Sequence, residues 1–138
     1  MANLEGENYN TFAERSFGGK VDGIDISGTV DFLVARGKYE PRTPYFFIQE
    51  YKKFKQGQDS DLLAQLLGEM LVCQVINSKD LICGAYIVGQ YWRFVVLEKR
   101  EYFVLDALNS TNFEELTEII SKLNWIKEYV EKQLKNNL

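Results

Sequence analysis

Histidine is missing altogether from the 138 residues. That absence removes His-centred acid–base catalysis, the Ser-His-Asp and Cys-His nucleophile arrangements, and the commonest zinc ligand sets. Cysteine is scarce: Cys73 and Cys83 both sit inside apolar runs, where buried thiols in a reducing compartment are expected rather than a disulfide. Two cysteines cannot fill a structural zinc site. Long hydrophobic runs are lacking as well, so no membrane helix can be drawn. The opening MANLEGENYN is polar and acidic and does not read as a secretory signal, which predicts a cytoplasmic protein. Bases are outnumbered, with 16 Lys and Arg against 20 Asp and Glu and a net charge of −4. That is not the balance of a protein that grips nucleic acid by bulk charge. Catalysis, if there is any, must rest on carboxylates, lysine, tyrosine or a hard metal held by oxygens.

What is present is an ordinary globular composition, 46% apolar and 26% charged, which excludes a disordered chain. The length predicts one domain spanning 1–138. Segment 9–17, YNTFAERSF, is read as two helical turns with Tyr9, Phe12, Ala13 and Ser16 on one face. KVDGIDISG and TVDFLVAR read as a hairpin turning at Ser27–Gly28, with Asp31, Leu33 and Ala35 on one face and Val30, Phe32 and Val34 on the other. PYFFIQEYKK is strongly β-prone and suits a central strand covered on both faces. Over 61–77 the leucines recur at helical spacing, while Asp61, Gln65 and Glu69 form a polar stripe on which Glu69 is read as solvated. A meander follows over 81–106, in which Tyr91 and Trp92 read as hairpin packing. A second long helix covers 113–134, opened by Asn112 with Glu115 three residues on. The sum is an α+β fold, a mixed central β-sheet flanked by helices.

Charge is unevenly placed along the chain. Residues 1–35 hold Glu5, Glu7, Glu14, Asp22, Asp25 and Asp31 against Arg15 and Lys20. Residues 36–55 hold Arg36, Lys38, Arg42, Lys52, Lys53 and Lys55 against Glu40 and Glu50. Within the second stretch, Glu50 and Lys52 are two apart on a strand and therefore project from the same face. Asp31 lies on the preceding strand among apolar neighbours, where a charge is costly unless something binds it. An ion-paired strand cluster is one use of such a set. The other is Mg²⁺-dependent phosphodiester hydrolysis, in which the carboxylates hold the metal and the lysine orients water or neutralises phosphate.

Asp31 in GTVDFLVA, Glu50-Tyr51-Lys52 in PYFFIQEYKK and Gln65 in LLAQLLGEML together resemble the PD-(D/E)xK nuclease superfamily, and in particular a set of its small bacterial members. The resemblance covers about residues 9–106. It implies a restriction-endonuclease-like core and a nuclease-like hydrolase that cuts phosphodiester bonds in nucleic acid with Mg²⁺ or Mn²⁺. Asp31 and Glu50 would be the metal ligands, and Lys52 would position the attacking water. Gln65 would orient Lys52, the water or the phosphate. Glu14 stands where the family's first helix supplies a further acid. Arg36, Lys38, Arg42 and Lys55 are the candidates for contact with a nucleic-acid backbone, weak and salt-sensitive at this net charge. The alternative is the same fold kept as a catalytically silent binding or assembly module, acting as a homodimer or with a partner protein.

Overall fold

Asp22 and Gly23 take positive φ values of 51° and 81°, the left-handed pair that a tight two-residue hairpin turn requires and that Asp-Gly supplies at low cost. The computed structural model describes residues 8–52 and 59–136. In it this turn joins β1 (Tyr9–Val21) to β2 (Ile24–Arg36), paired antiparallel from Tyr9↔Arg36 to Val21↔Ile24. Two expectations are corrected here. Segment 9–17 is strand rather than helix, because pairing with β2 satisfies its backbone along its length, whereas a two-turn helix has little stability of its own. Ser27 and Gly28 do not turn. They lie within β2 opposite Gly18 and Phe17.

β3 (Arg42–Lys52) is the central strand expected of PYFFIQEYK, antiparallel to β2 and parallel to β4 (Leu81–Val88). The parallel pair is joined by helix α1 (Asp59–Asn77), the crossover that parallel strands need. β5 (Tyr91–Glu98) and β6 (Glu101–Val104) continue the meander, and β7 (Leu108–Asn109) pairs with β5. Helix α2 (Phe113–Asn136) closes the described chain. The Asn112 side chain accepts the Glu115 N–H at 3.1 Å, as the sequence predicts of an N-cap. Glu115 reaches back to the Asn109 N–H instead of that of Asn112. The result is an α+β fold with a mixed sheet in the order β1-β2-β3-β4-β5-β6 and two helices.

Strand alternation puts the helices on opposite faces. Ile48, Ile82 and Val95 pack with Leu62, Leu66, Met70 and Cys73 of α1, while Phe47, Cys83 and Phe94 pack with Ile119, Leu123, Ile126 and Val130 of α2. Both cysteines are free and buried, as expected. Two devices fix α1 over the sheet. At its end, Asn77 accepts the Tyr45 N–H at 2.7 Å and donates to the Tyr45 carbonyl at 2.6 Å. At its middle, Gly84 leaves room: a Cβ there would lie 2.9 Å from the Ile48 carbonyl and 3.3 Å from Leu66 Cδ1 and Met70 Sδ. Among the described residues no helix is long and apolar enough to cross a membrane.

Candidate functional site

The ladder between β2 and β3 ends at Phe32↔Gln49, and the next residues along the two strands are Asp31 and Glu50. Asp31 Oδ2 there accepts the Tyr51 N–H at 2.7 Å, standing in for a strand carbonyl where the backbones part. On the other side of β2, Glu14 adopts φ 50° and drops out of the pairing between Ala13↔Phe32 and Arg15↔Val30. The sheet is thus irregular on both flanks of Asp31.

Glu50 follows Ile48 on the face of β3 that α1 covers, and Lys52 follows two residues later. Glu50 is in register with Tyr86, and Lys52 with Val88. The Lys52 carbonyl accepts the N–H of Gly89, in the turn after β4, at 2.9 Å. Glu50 and Lys52 therefore stand at the carboxyl ends of the parallel pair, where ligand sites of open sheets with crossover helices collect.

Helix α1 completes the cluster. Gln65 Nε2 donates to Glu50 Oε2 at 3.2 Å. One turn on, Glu69 is buried at 5% exposure, beside Glu50 at 2%. Oε1 of each is buried without a hydrogen-bond partner. The electrostatics follow from this enclosure. Burial above all, then the hydrogen bond and charge of Glu69, then Asp31, push the Glu50 carboxyl up to about 9. Burial also raises Glu69, against the lowering hydrogen bonds of Glu50 and Gln65. Apolar surroundings and like charges both disfavour a second carboxylate in one site.

Of the residues singled out in the sequence, Asp31, Glu50 and Gln65 are brought together. Lys52 is half-buried on the same face of β3 and has no ion-pair partner among the described residues. Glu14 is exposed on β1, not on a helix. Arg36 and Arg42 face each other at the far end of β2 and β3, and Lys38 lies over the Tyr39 ring at 5.6 Å. By strand rise, Arg42 is roughly 25 Å from Glu50. Lys55 lies outside the described residues. Trp92 packs on Phe94 in the core beneath α2, as its hairpin position predicts, and Tyr91 is exposed.

Glu69 is the functional candidate that sequence reasoning missed. The stripe Asp61, Gln65, Glu69 begins exposed and ends buried, because the far half of the β1–β2 hairpin lies against α1. Gly68 approaches Ile26, and Gly19 approaches Val72. A signal was available: apolar residues surround Glu69 so widely on α1 that little of the helix is left to face water.

Whether the site suits a metal ion can be tested on its donors. Among the described residues, no three His, Cys, Asp or Glu side chains are arranged to hold one. Two buried carboxylates with an unpartnered oxygen each are present, and Mg²⁺ is commonly held through one or two carboxylates, with water and phosphate filling its other positions. The all-oxygen donor set fits a hard cation of that kind. No family model matches the chain, and no curated protein or solved structure is significantly similar to it.

Proposed function

We propose that the chain is a restriction-endonuclease-like member of the PD-(D/E)xK superfamily that hydrolyses phosphodiester bonds in nucleic acid with Mg²⁺ or Mn²⁺. The observation that carries this reading is the meeting of Asp31, Glu50 and Gln65 where β2 and β3 separate. Supporting it are the strand order β1-β2-β3-β4-β5 with a parallel β3–β4 pair bridged by α1, and the site's position at the carboxyl ends of that pair.

Asp31 and Glu50 would hold the cation. A bound Mg²⁺ or Mn²⁺ supplies Lewis acidity, making its water more acidic and offsetting charge on the phosphoryl oxygens. Gln65 fixes Glu50 by donating to Oε2, which leaves Oε1 for the ligand. Lys52, unpaired among the described residues, supplies the one positive charge on this face of β3, to orient water or neutralise phosphate.

The closure of Glu50 and Glu69 from solvent favours a second reading, the same fold as a catalytically silent module. Calorimetric titration with Mn²⁺, alongside cleavage of labelled single- and double-stranded DNA and RNA, separates the two. The hydrolase reading expects wild-type binding and cleavage, weaker Mn²⁺ binding by Asp31→Asn, and Mn²⁺ binding without cleavage by Lys52→Ala. Absence of both binding and cleavage in the wild type selects the silent module.

A further inference from the structure

We propose that Glu69 is a metal ligand, forming with Glu50 the pair of carboxylates that takes a divalent cation from the α1 side of the site. This rests on the reading of the site as a metal centre and adds a residue to it. The acid comes from the crossover helix rather than from the start of the chain, where Glu14 is exposed on a strand.

Two observations beyond the acidic cluster carry the inference. First, Glu50 Oε1 and Glu69 Oε1 are both enclosed without a partner, and the two residues are 2% and 5% exposed. A purely structural acid pair is expected to be matched by donors, since a buried unpaired polar atom costs stability. Here neither acid has a Lys or Arg partner among the described residues. Gln65, which donates to Glu50, is neutral and occupies the other oxygen. A proton shared between the two carboxyls would satisfy both orphaned oxygens, and so would a divalent cation, which alone also offsets the two negative charges of the ionised pair.

Second, the surroundings hold the pair in place. Gln65 is one helical turn from Glu69 and binds Glu50, tying the two carboxylates to one geometry. The Gly84 gap lets α1 approach β3 closely enough for this contact. Across the space, a Cβ on Gly28 of β2 would lie 4.0 Å from Glu69 Oε2, so Glu69 reaches into the gap between α1 and the β2–β3 fork. Asp31, on the fork side of the site, accepts the Tyr51 N–H through Oδ2. The lack of three ready-made ligands among the described residues is no obstacle, because Mg²⁺ and Mn²⁺ retain water and take phosphate oxygens.

The test is Mn²⁺ binding, read from the electron paramagnetic resonance of free Mn²⁺ and by calorimetry. It compares wild type, Glu69→Gln and Asp61→Asn, the last an exposed acid on the same stripe. The expectation is wild-type binding by Asp61→Asn and a loss of about tenfold or more in Glu69→Gln, since even residues behind a ligand cost 10–100-fold. In EDTA at neutral pH, Glu69→Gln should melt no lower than wild type. If the Gln variant fails to fold, Glu69→Asp keeps the charge and shortens the reach, and it should also bind more weakly. Equal binding by wild type and the Glu69 variant overturns the role of Glu69 and leaves the metal centre standing. No Mn²⁺ binding by the wild type overturns both.

Discussion

Glu50 is the residue on which the rest of the site turns, and its protonation has a direct consequence for stability. Its ordinary value is 4.5, and in the fold it is pushed up to about 9. Below pH 4.5 both folded and unfolded chains carry the proton, and nothing is lost. Above it the unfolded chain releases the proton while the folded one keeps it, so stability falls as pH rises towards 9. In EDTA the melting temperature should therefore decline between pH 5 and pH 8 through this group. Glu50→Gln should flatten that decline, as followed by circular dichroism. Saturating Mn²⁺ should reverse it, because a cation displaces the protons and is bound by the fold alone. A decline that persists unchanged in Glu50→Gln would assign the proton elsewhere. Adjacent positions on α1 separate packing from site chemistry. Leu66 is fully buried, and Leu66→Ala should cost about 2–5 kcal/mol in urea unfolding. Gln65→Ala removes only the donor to Glu50 and should cost about 1 kcal/mol. Equal losses would mean that Gln65 is held by packing instead of by Glu50.

At the scale of the element, α1 brings Gln65 and Glu69 to β3, and Gly84 sets how closely it does so. Gly84→Val places its Cβ about where the Ile48 carbonyl and Leu66 now meet. Overpacking of this kind costs roughly 1–3 kcal/mol, and lifting α1 should also weaken Mn²⁺ binding. Urea unfolding and a Mn²⁺ titration on the same variant check both. If stability drops while metal affinity holds, the helix does not set the site geometry. The elements themselves were unevenly legible. The β3 strand, both long helices and the turns at Gly89–Gln90 and Lys99–Arg100 follow from periodicity and turn residues, which act over short distances. The first strand does not. YNTFAERSF carries weak helical spacing, and only its partner β2, across the turn, decides for strand. Asp22–Gly23 is a stronger hairpin signal than Ser27–Gly28, and a turn at the later pair leaves the β1 segment without a partner. In the site, Asp31, Glu50 and Gln65 were legible because strand parity and helix spacing place them. Glu69 was not, because its burial depends on the hairpin folding over α1, a contact between residues more than forty positions apart.

For the whole molecule the governing fact is a net charge of −4, with few bases near the site among the described residues. Arg36, Lys38 and Arg42 gather at one end of β2 and β3, and Lys52 stands at the other. Three contacts from that end, at about −0.9 per phosphate, give a log–log salt slope near −3 for duplex binding. The separation of roughly 33 Å along β3 from Arg42 to Lys52 adds a requirement of length. A duplex advances 3.4 Å per base pair, so about ten base pairs are needed to reach from the Arg42 end to Lys52. Affinity should therefore rise with duplex length up to about ten pairs and then level off, as measured by fluorescence anisotropy at low salt with Ca²⁺ in place of Mg²⁺. Neutralising Arg36, Lys38 and Arg42 to Gln should abolish both the length dependence and most of the salt slope, while leaving Mn²⁺ binding at Glu50 intact. If affinity is independent of length, or the triple variant binds as well as wild type, the backbone runs over another face. If only Mn²⁺ binds and no nucleic acid does, the metal centre serves a different phosphodiester, one small enough to be held by Lys52 and the carboxylates alone.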